Sequence, residues 1–263
     1  MIFDTDFSSL DNPQVLQFAF YPRQESSQTP PEATDYSIGV DAGVSIGCRF
    51  YIHSNVSPSI LYFHGNGEIA SDYDAIAPLY NEQGINLFVA DYRGYGASGG
   101  TPSFTHMAND AVTIFHAFMD IIAANHYADN IFIMGRSLGS LPALELAHHY
   151  QQQIKGLIIE SGFASIMRLL THLGFPSELI GLQDTDFPNA AWIRSVNIPT
   201  LILHGEYDSL IPNSEAKELY SKSSATKKRL VIIDGAEHND IMLAGMSRYF
   251  AEIADFISEE IAE

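Results

Sequence analysis

Cysteine is almost missing from this chain. Cys48 is the single one among 263 residues, which excludes an intrachain disulfide and any cysteine-cluster metal site. It lies in the apolar run VSIGCRFYIH, so it reads as a buried, inert thiol rather than a nucleophile. Positive charge is scarce as well: 13 Lys and Arg stand against 32 Asp and Glu, a net charge of −19. Nucleic acid and anionic membrane surfaces both require basic patches to displace counterions, so neither is an expected partner. No lysine precedes Lys155, a distribution without an evident physical cause. No stretch approaches the ~18 uncharged apolar residues of a membrane helix. The opening MIFDTDFSSLDNP has neither the basic n-region nor the apolar run of a signal peptide. These absences lead us to expect a soluble, cytoplasmic protein with no stable membrane anchor, and leave its oligomeric state open. No internal repeat or low-complexity tract occurs.

Apolar residues are plentiful, at 46% of the chain. That suffices for the core of one α/β domain over residues 1–263. Residues 22–34, PRQESSQTPPEAT, are polar and proline-rich, and we expect 1–34 to be an irregular lead-in. TDYSIGV and VSIGCRFYIH then alternate as two strands, with Asp41-Ala42-Gly43 as their turn. Solid apolar runs follow at SILYF, INLFVA, NIFIM, KGLIIE, PTLILH and KRLVII. Runs apolar on both faces suit a parallel sheet covered by helices on each side. Helix-length segments separate most of them: EIASDYDAIAPLYNEQG, HMANDAVTIFHAFMDIIAAN, SEAKELYSKS and the C-terminal IMLAGMSRYFAEIADFISEEIAE. The alternation predicts a doubly wound, mostly parallel sheet of about eight strands, with an antiparallel hairpin at its front edge.

One connection is far longer than usual. Nearly forty residues separate Glu160 from Pro199, and they hold twelve large apolar side chains from Phe163 to Trp192. We expect residues 162–198 to form a short helical cap after strand 6, over the sheet edge where open α/β sheets bind ligands.

GRSLG, residues 135–139, places Ser137 between two glycines at the passage from a buried strand to a helix. The pattern alone arises by accident in roughly one chain of this length in ten. Its strand–turn–helix setting is what a nucleophile elbow needs. A serine hydroxyl is a poor nucleophile at neutral pH, so a base must take its proton and an acid must orient the base. Two later segments offer both. Asp208 in LHGEYDSLIP and His238 in IDGAEHND each follow the C-terminal end of a strand, the edge where Ser137 also emerges. Singly, Asp208 reads as a turn residue or helix cap and His238 as a loop histidine. Together, their order and shared edge point to serine chemistry. The oxyanion of acyl transfer needs two donors, usually backbone N–H groups. Leu138, after the nucleophile, supplies one; the turn His64-Gly65-Asn66-Gly67 supplies the other, from Asn66 first and Gly67 second.

FHGNG, DYRGYGASGG, GRSLG, HGEYD and EHND together resemble the α/β-hydrolase superfamily. The resemblance is to the short-cap serine hydrolases called α/β-hydrolase-domain proteins, and it runs from about residue 36 to the C-terminus. It implies Ser137 as nucleophile, His238 as base, Asp208 as orienting acid, and Asn66 and Leu138 as oxyanion donors. Ser140 stands where relatives often carry glycine. Some relatives that remove palmitate from proteins are anchored by an N-terminal cysteine cluster, which this chain does not have, so membrane depalmitoylation is not implied.

Rival residues have plainer roles. Asp91 precedes the nucleophile and reads as structural, and Glu160 is a second position for the acid. Arg136 is expected to pair with Glu160 or Asp91, and His64 to hold the oxyanion turn. His148 and His149 are adjacent on a helix and cannot share one face. No metal-ligand spacing occurs and no cofactor is expected. The reading is a serine hydrolase of carboxylic esters or thioesters, with a small to medium hydrophobic acyl substrate. The alternatives are an oligopeptide or amide hydrolase with the same triad, and a non-catalytic binding protein on this fold.

Overall fold

The structure is a computed structural model that describes residues 6–176 and 189–262. Eight strands form one mixed sheet: β1 (Ala33–Asp41), β2 (Val44–Tyr51), β3 (Ser59–Phe63), β4 (Asn86–Ala90), β5 (Ile131–Arg136), β6 (Gly156–Glu160), β7 (Thr200–Gly205) and β8 (Lys228–Ile233). Their spatial order is β1-β2-β4-β3-β5-β6-β7-β8. The β1–β2 hairpin is antiparallel and joins β4 antiparallel; every other pairing is parallel. Strands β3 to β7 are buried along their whole length. Alternate side chains enter two separate cores. Leu61, Phe63, Ile131 and Ile133 face one, and Ile60, Tyr62, Phe132 and Met134 face the other. A strand buried on both faces cannot alternate with polar residues, which is why the sequence shows solid apolar runs.

Helices cover both faces: α1 (Pro13–Ala19), α2 (Ala77–Glu82), α3 (Phe104–Ala124), α4 (Ser140–Tyr150), α5 (Ile166–His172), α6 (Asn189–Ser195), α7 (Asn213–Lys222), α8 (Ile241–Ala244) and α9 (Met246–Ile261). By length and composition α3 is apolar enough to cross a bilayer. In the fold half of its most apolar stretch is buried, and its Asp110 accepts a 2.7 Å hydrogen bond from Arg93 Nε.

Three expectations need correction. The N-terminal 34 residues are not irregular throughout: Asn12 caps α1 by accepting from the Gln14 N–H at 2.9 Å, and Phe7, Leu10, Val15 and Phe20 are buried. Asp11 also accepts from the Phe104 N–H at 2.8 Å, tying this segment to the start of α3. The helix expected over 68–84 is a 3₁₀ turn, Ala70–Ala75, followed by α2. Pro78 lies in the first turn of α2, where a proline fits; one continuous helix would have set it inside, against the carbonyl four residues back. The C-terminal helix is broken at Gly245, where a Cβ would lie 2.2 Å from Ile233 Cγ2 on β8. Within the cap segment, α5 and α6 are described, and residues 177–188 lie outside the described residues.

Candidate active site

Ser137 sits at the tip of β5, at the start of a 3₁₀ turn that leads into α4. Its φ is +52°, a left-handed conformation that costs a non-glycine residue on the order of 1–3 kcal/mol. The two flanking glycines are required by close approach rather than by φ. A Cβ on Gly135 would lie 2.2 Å from the Gly139 carbonyl oxygen, and one on Gly139 would lie 2.1 Å from the Phe63 carbonyl oxygen. Both obstacles are backbone atoms and cannot swing away. Gly139→Ala should therefore cost about 3 kcal/mol or more of stability, read from urea unfolding. A loss under about 1 kcal/mol would mean that the elbow relaxes around the methyl group.

Asp208 lies just beyond β7 and His238 beyond β8, and folding brings both to Ser137. His238 Nε2 is 3.0 Å from Ser137 Oγ, and His238 Nδ1 is 2.7 Å from Asp208 Oδ2. The other oxygen of Asp208 accepts from the N–H groups of Leu210 at 3.1 Å and Ile211 at 2.7 Å. Burial works against this carboxylate, but its bonds to His204 and His238 outweigh that and hold the Asp208 carboxyl well below its ordinary value. An ionised Asp208 accepts the Nδ1 proton of His238, which leaves Nε2 free to accept the Ser137 hydroxyl proton. His204, with Nε2 at 3.3 Å from Asp208 Oδ2, was passed over in the sequence because it reads as the end of a strand.

Asn66 and Leu138 line the same cavity as Ser137 and His238. The Asn66 N–H has no hydrogen-bond partner among the described residues. Its side chain does a different job. Oδ1 accepts from the Tyr21 N–H at 3.0 Å and from the Tyr95 hydroxyl at 2.7 Å, and Nδ2 donates to the Ala19 carbonyl at 2.8 Å. Asn66 thus anchors the N-terminal segment over the site. His64 is fully buried, with Nδ1 2.8 Å from the Gly65 carbonyl and Nε2 3.2 Å from Asp91. Asp91 also accepts from the Ala70 N–H at 2.7 Å. Of the two partners expected for Arg136, Asp91 is spent on these contacts, while Glu160 does lie 3.6 Å from Arg136 Nε. Glu68, which the sequence did not suggest, is nearer at 3.0 Å. Glu160 accepts from the Tyr249 hydroxyl at 2.7 Å and makes no hydrogen bond to His238, so Asp208 is the carboxylate bonded to His238.

The cavity has a volume of about 350 Å³. Ile166, Leu169, Leu170 and Leu173 from the cap segment, with Leu210 and Ile211, make an apolar wall; Phe18 and Tyr21 close another side. Phe18 meets Phe175 edge-on, ring centroids 5.2 Å apart. Among the described residues no cluster of His, Cys, Asp and Glu is arranged to hold a metal ion.

The sequence profile of a family described as serine aminopeptidase, S33, matches residues 54–175 and 171–242. The chain belongs to the α/β-hydrolase superfamily. It is similar to α/β-hydrolase domain-containing protein 17C of Xenopus tropicalis, with 30% identity over 84% of this chain and 68% of that protein. Human α/β-hydrolase domain-containing protein 17B is 29% identical over 90% of this chain and 80% of its own length. Among solved structures, the Pyrococcus furiosus esterase Pf2001 superposes with a TM-score of 0.74 at 17% identity, covering 90% of this chain and 98% of the esterase. With the match to this family, the chain is a serine hydrolase.

Proposed function

We propose that this hydrolase cleaves carboxylic esters or thioesters of small to medium hydrophobic acyl groups, through an acyl-enzyme formed on Ser137. The observation that carries the reading is the hydrogen-bonded chain Asp208–His238–Ser137 opening into an apolar cavity. Ser137 Oγ attacks the carbonyl carbon as its proton passes to His238 Nε2. The oxyanion so formed is stabilised by the N–H groups of Asn66 and Leu138. His238 then gives the proton to the leaving alcohol or thiol, and the acyl group stays on Ser137. Water attacks that ester with His238 again as base, and the acid leaves. Asp208 keeps the imidazole in its tautomer and stabilises the imidazolium; it does not take the proton.

Cavity size and lining support the substrate class. About 350 Å³ is near the small end of the ~300–1,000 Å³ range of ligand pockets, and the described residues of the cap that line it are apolar. The test is labelling by a fluorophosphonate, followed by turnover of p-nitrophenyl esters of increasing acyl length beside p-nitroanilides. Labelling should vanish in Ser137→Ala, and turnover should peak at one intermediate ester. Faster anilide than ester turnover would make the enzyme an amide hydrolase. A folded protein that never labels, yet binds acyl ligands equally with or without the Ser137 hydroxyl, would be a binding protein.

A further inference from the structure

Arg136, the residue before the nucleophile, is 5% exposed. Burying a guanidinium costs several kcal/mol unless it is well paired, and its pairing here reaches both sides of the catalytic centre. Nε lies 3.0 Å from Glu68 Oε1. Nη2 donates to the carbonyl of His238 at 3.2 Å and to Asn239 Oδ1 at 3.3 Å. Glu68 in turn uses its second oxygen, Oε2, to accept from the Gly65 N–H at 2.8 Å and from the Tyr73 hydroxyl at 2.8 Å. Burial opposes the charge on Glu68, but Arg136 and His64 outweigh it and keep that carboxyl below its ordinary value.

We propose that Glu68 and Arg136 are positioning residues that clamp the oxyanion turn and the His238 loop to the nucleophile elbow. The clamp rests on the proposed acyl chemistry at Ser137. Its two decisive contacts are to backbone atoms, the Gly65 N–H and the His238 carbonyl, so it sets where the loops stand rather than how a side chain rotates. The Gly65 bond fixes the peptide just ahead of the Asn66 N–H. The His238 bond ties the backbone of the base to the elbow. A guanidinium suits this task because its planar fork sends separate N–H groups to the two loops. The remaining neighbour, Glu160, holds the guanidinium from the sheet edge at 3.6 Å. That contact is longer than a hydrogen bond, and the shorter pairing is to Glu68, on the catalytic side.

The test compares wild type, Arg136→Lys and Glu68→Gln by fluorophosphonate labelling rate, ester kcat and KM, and urea unfolding. A lysine ammonium keeps the charge and cannot span both loops; a glutamine keeps the shape and loses the charge. Losing a charge-assisted hydrogen bond in the transition state corresponds to about a 10- to 100-fold fall. Labelling rate and kcat should fall by that factor in both variants, with KM within about threefold of wild type. If Arg136→Lys does not fold, Glu68→Gln decides by itself. Folded variants with wild-type kcat and labelling rate, or with only KM raised, would overturn the clamp and leave the acyl chemistry standing. A wild-type protein that does not label would overturn both.

Discussion

Asp208→Asn should lower kcat for ester hydrolysis by about ten-thousand-fold while KM stays nearly constant. The carboxylate accepts the Nδ1 proton of His238 at 2.7 Å. An asparagine can turn its NH₂ group toward Nδ1 instead, which moves the ring proton to Nε2. Nε2 would then point a proton at Ser137 Oγ, 3.0 Å away, and could no longer accept the hydroxyl proton. Geometry would survive while proton transfer is lost. The Leu210 and Ile211 N–H groups can still bond the amide oxygen, so the loop has no reason to collapse. Single-turnover ester hydrolysis beside an unfolding curve checks this. Loss of less than about tenfold would show that another group orients His238, and Asp208 would have to be withdrawn as the acid.

The second large effect lies away from the cavity. Glu145, in α4 after Ser137, is fully buried, and neither carboxyl oxygen has a hydrogen-bond partner among the described residues. Burial pushes its pKa up to about 8 from an ordinary 4.5. Between about pH 5.5 and pH 8 the unfolded carboxyl is ionised and the folded one still largely protonated, so folding takes up a proton. Stability contributed by the neutral carboxyl is full below about pH 4.5 and is lost as pH rises toward 8, at about 1.36 kcal/mol per pH unit. Glu145→Gln carries no such proton. Measured by urea unfolding, the variant should gain about 3 kcal/mol on the parent between about pH 5.5 and 8. Parallel pH profiles for the two proteins would mean that Glu145 finds a partner or water when ionised.

How much of this was legible beforehand depends on how local each cause is. The sheet could be read because a strand buried on both faces imposes solid apolar runs on any sequence that forms it. The elbow could be read because two backbone approaches near 2 Å admit only glycine at 135 and 139. Asp208 and His238 were found through chain order, since successive parallel strands deliver their ends to one edge. In contrast, α1 was missed: its polar, proline-rich surroundings resemble a loop, and what orders it is burial of Phe7, Leu10 and Val15 against distant residues.

The same division runs through the site. The order of Ser137, Asp208 and His238 along the chain and the edge they share were determined by the sequence alone, because successive parallel strands deliver their C-terminal ends to one edge. Which carboxylate faces which cation was decided only by tertiary structure. Of the two partners expected for Arg136, Glu160 is in place at 3.6 Å, whereas Asp91 went to His64 and the Ala70 N–H; Glu68, 68 residues from Arg136 along the chain, makes the shorter pair. Ion pairs have no sequence period. They form wherever packing brings two charges within about 4 Å and leaves too little water to solvate them apart.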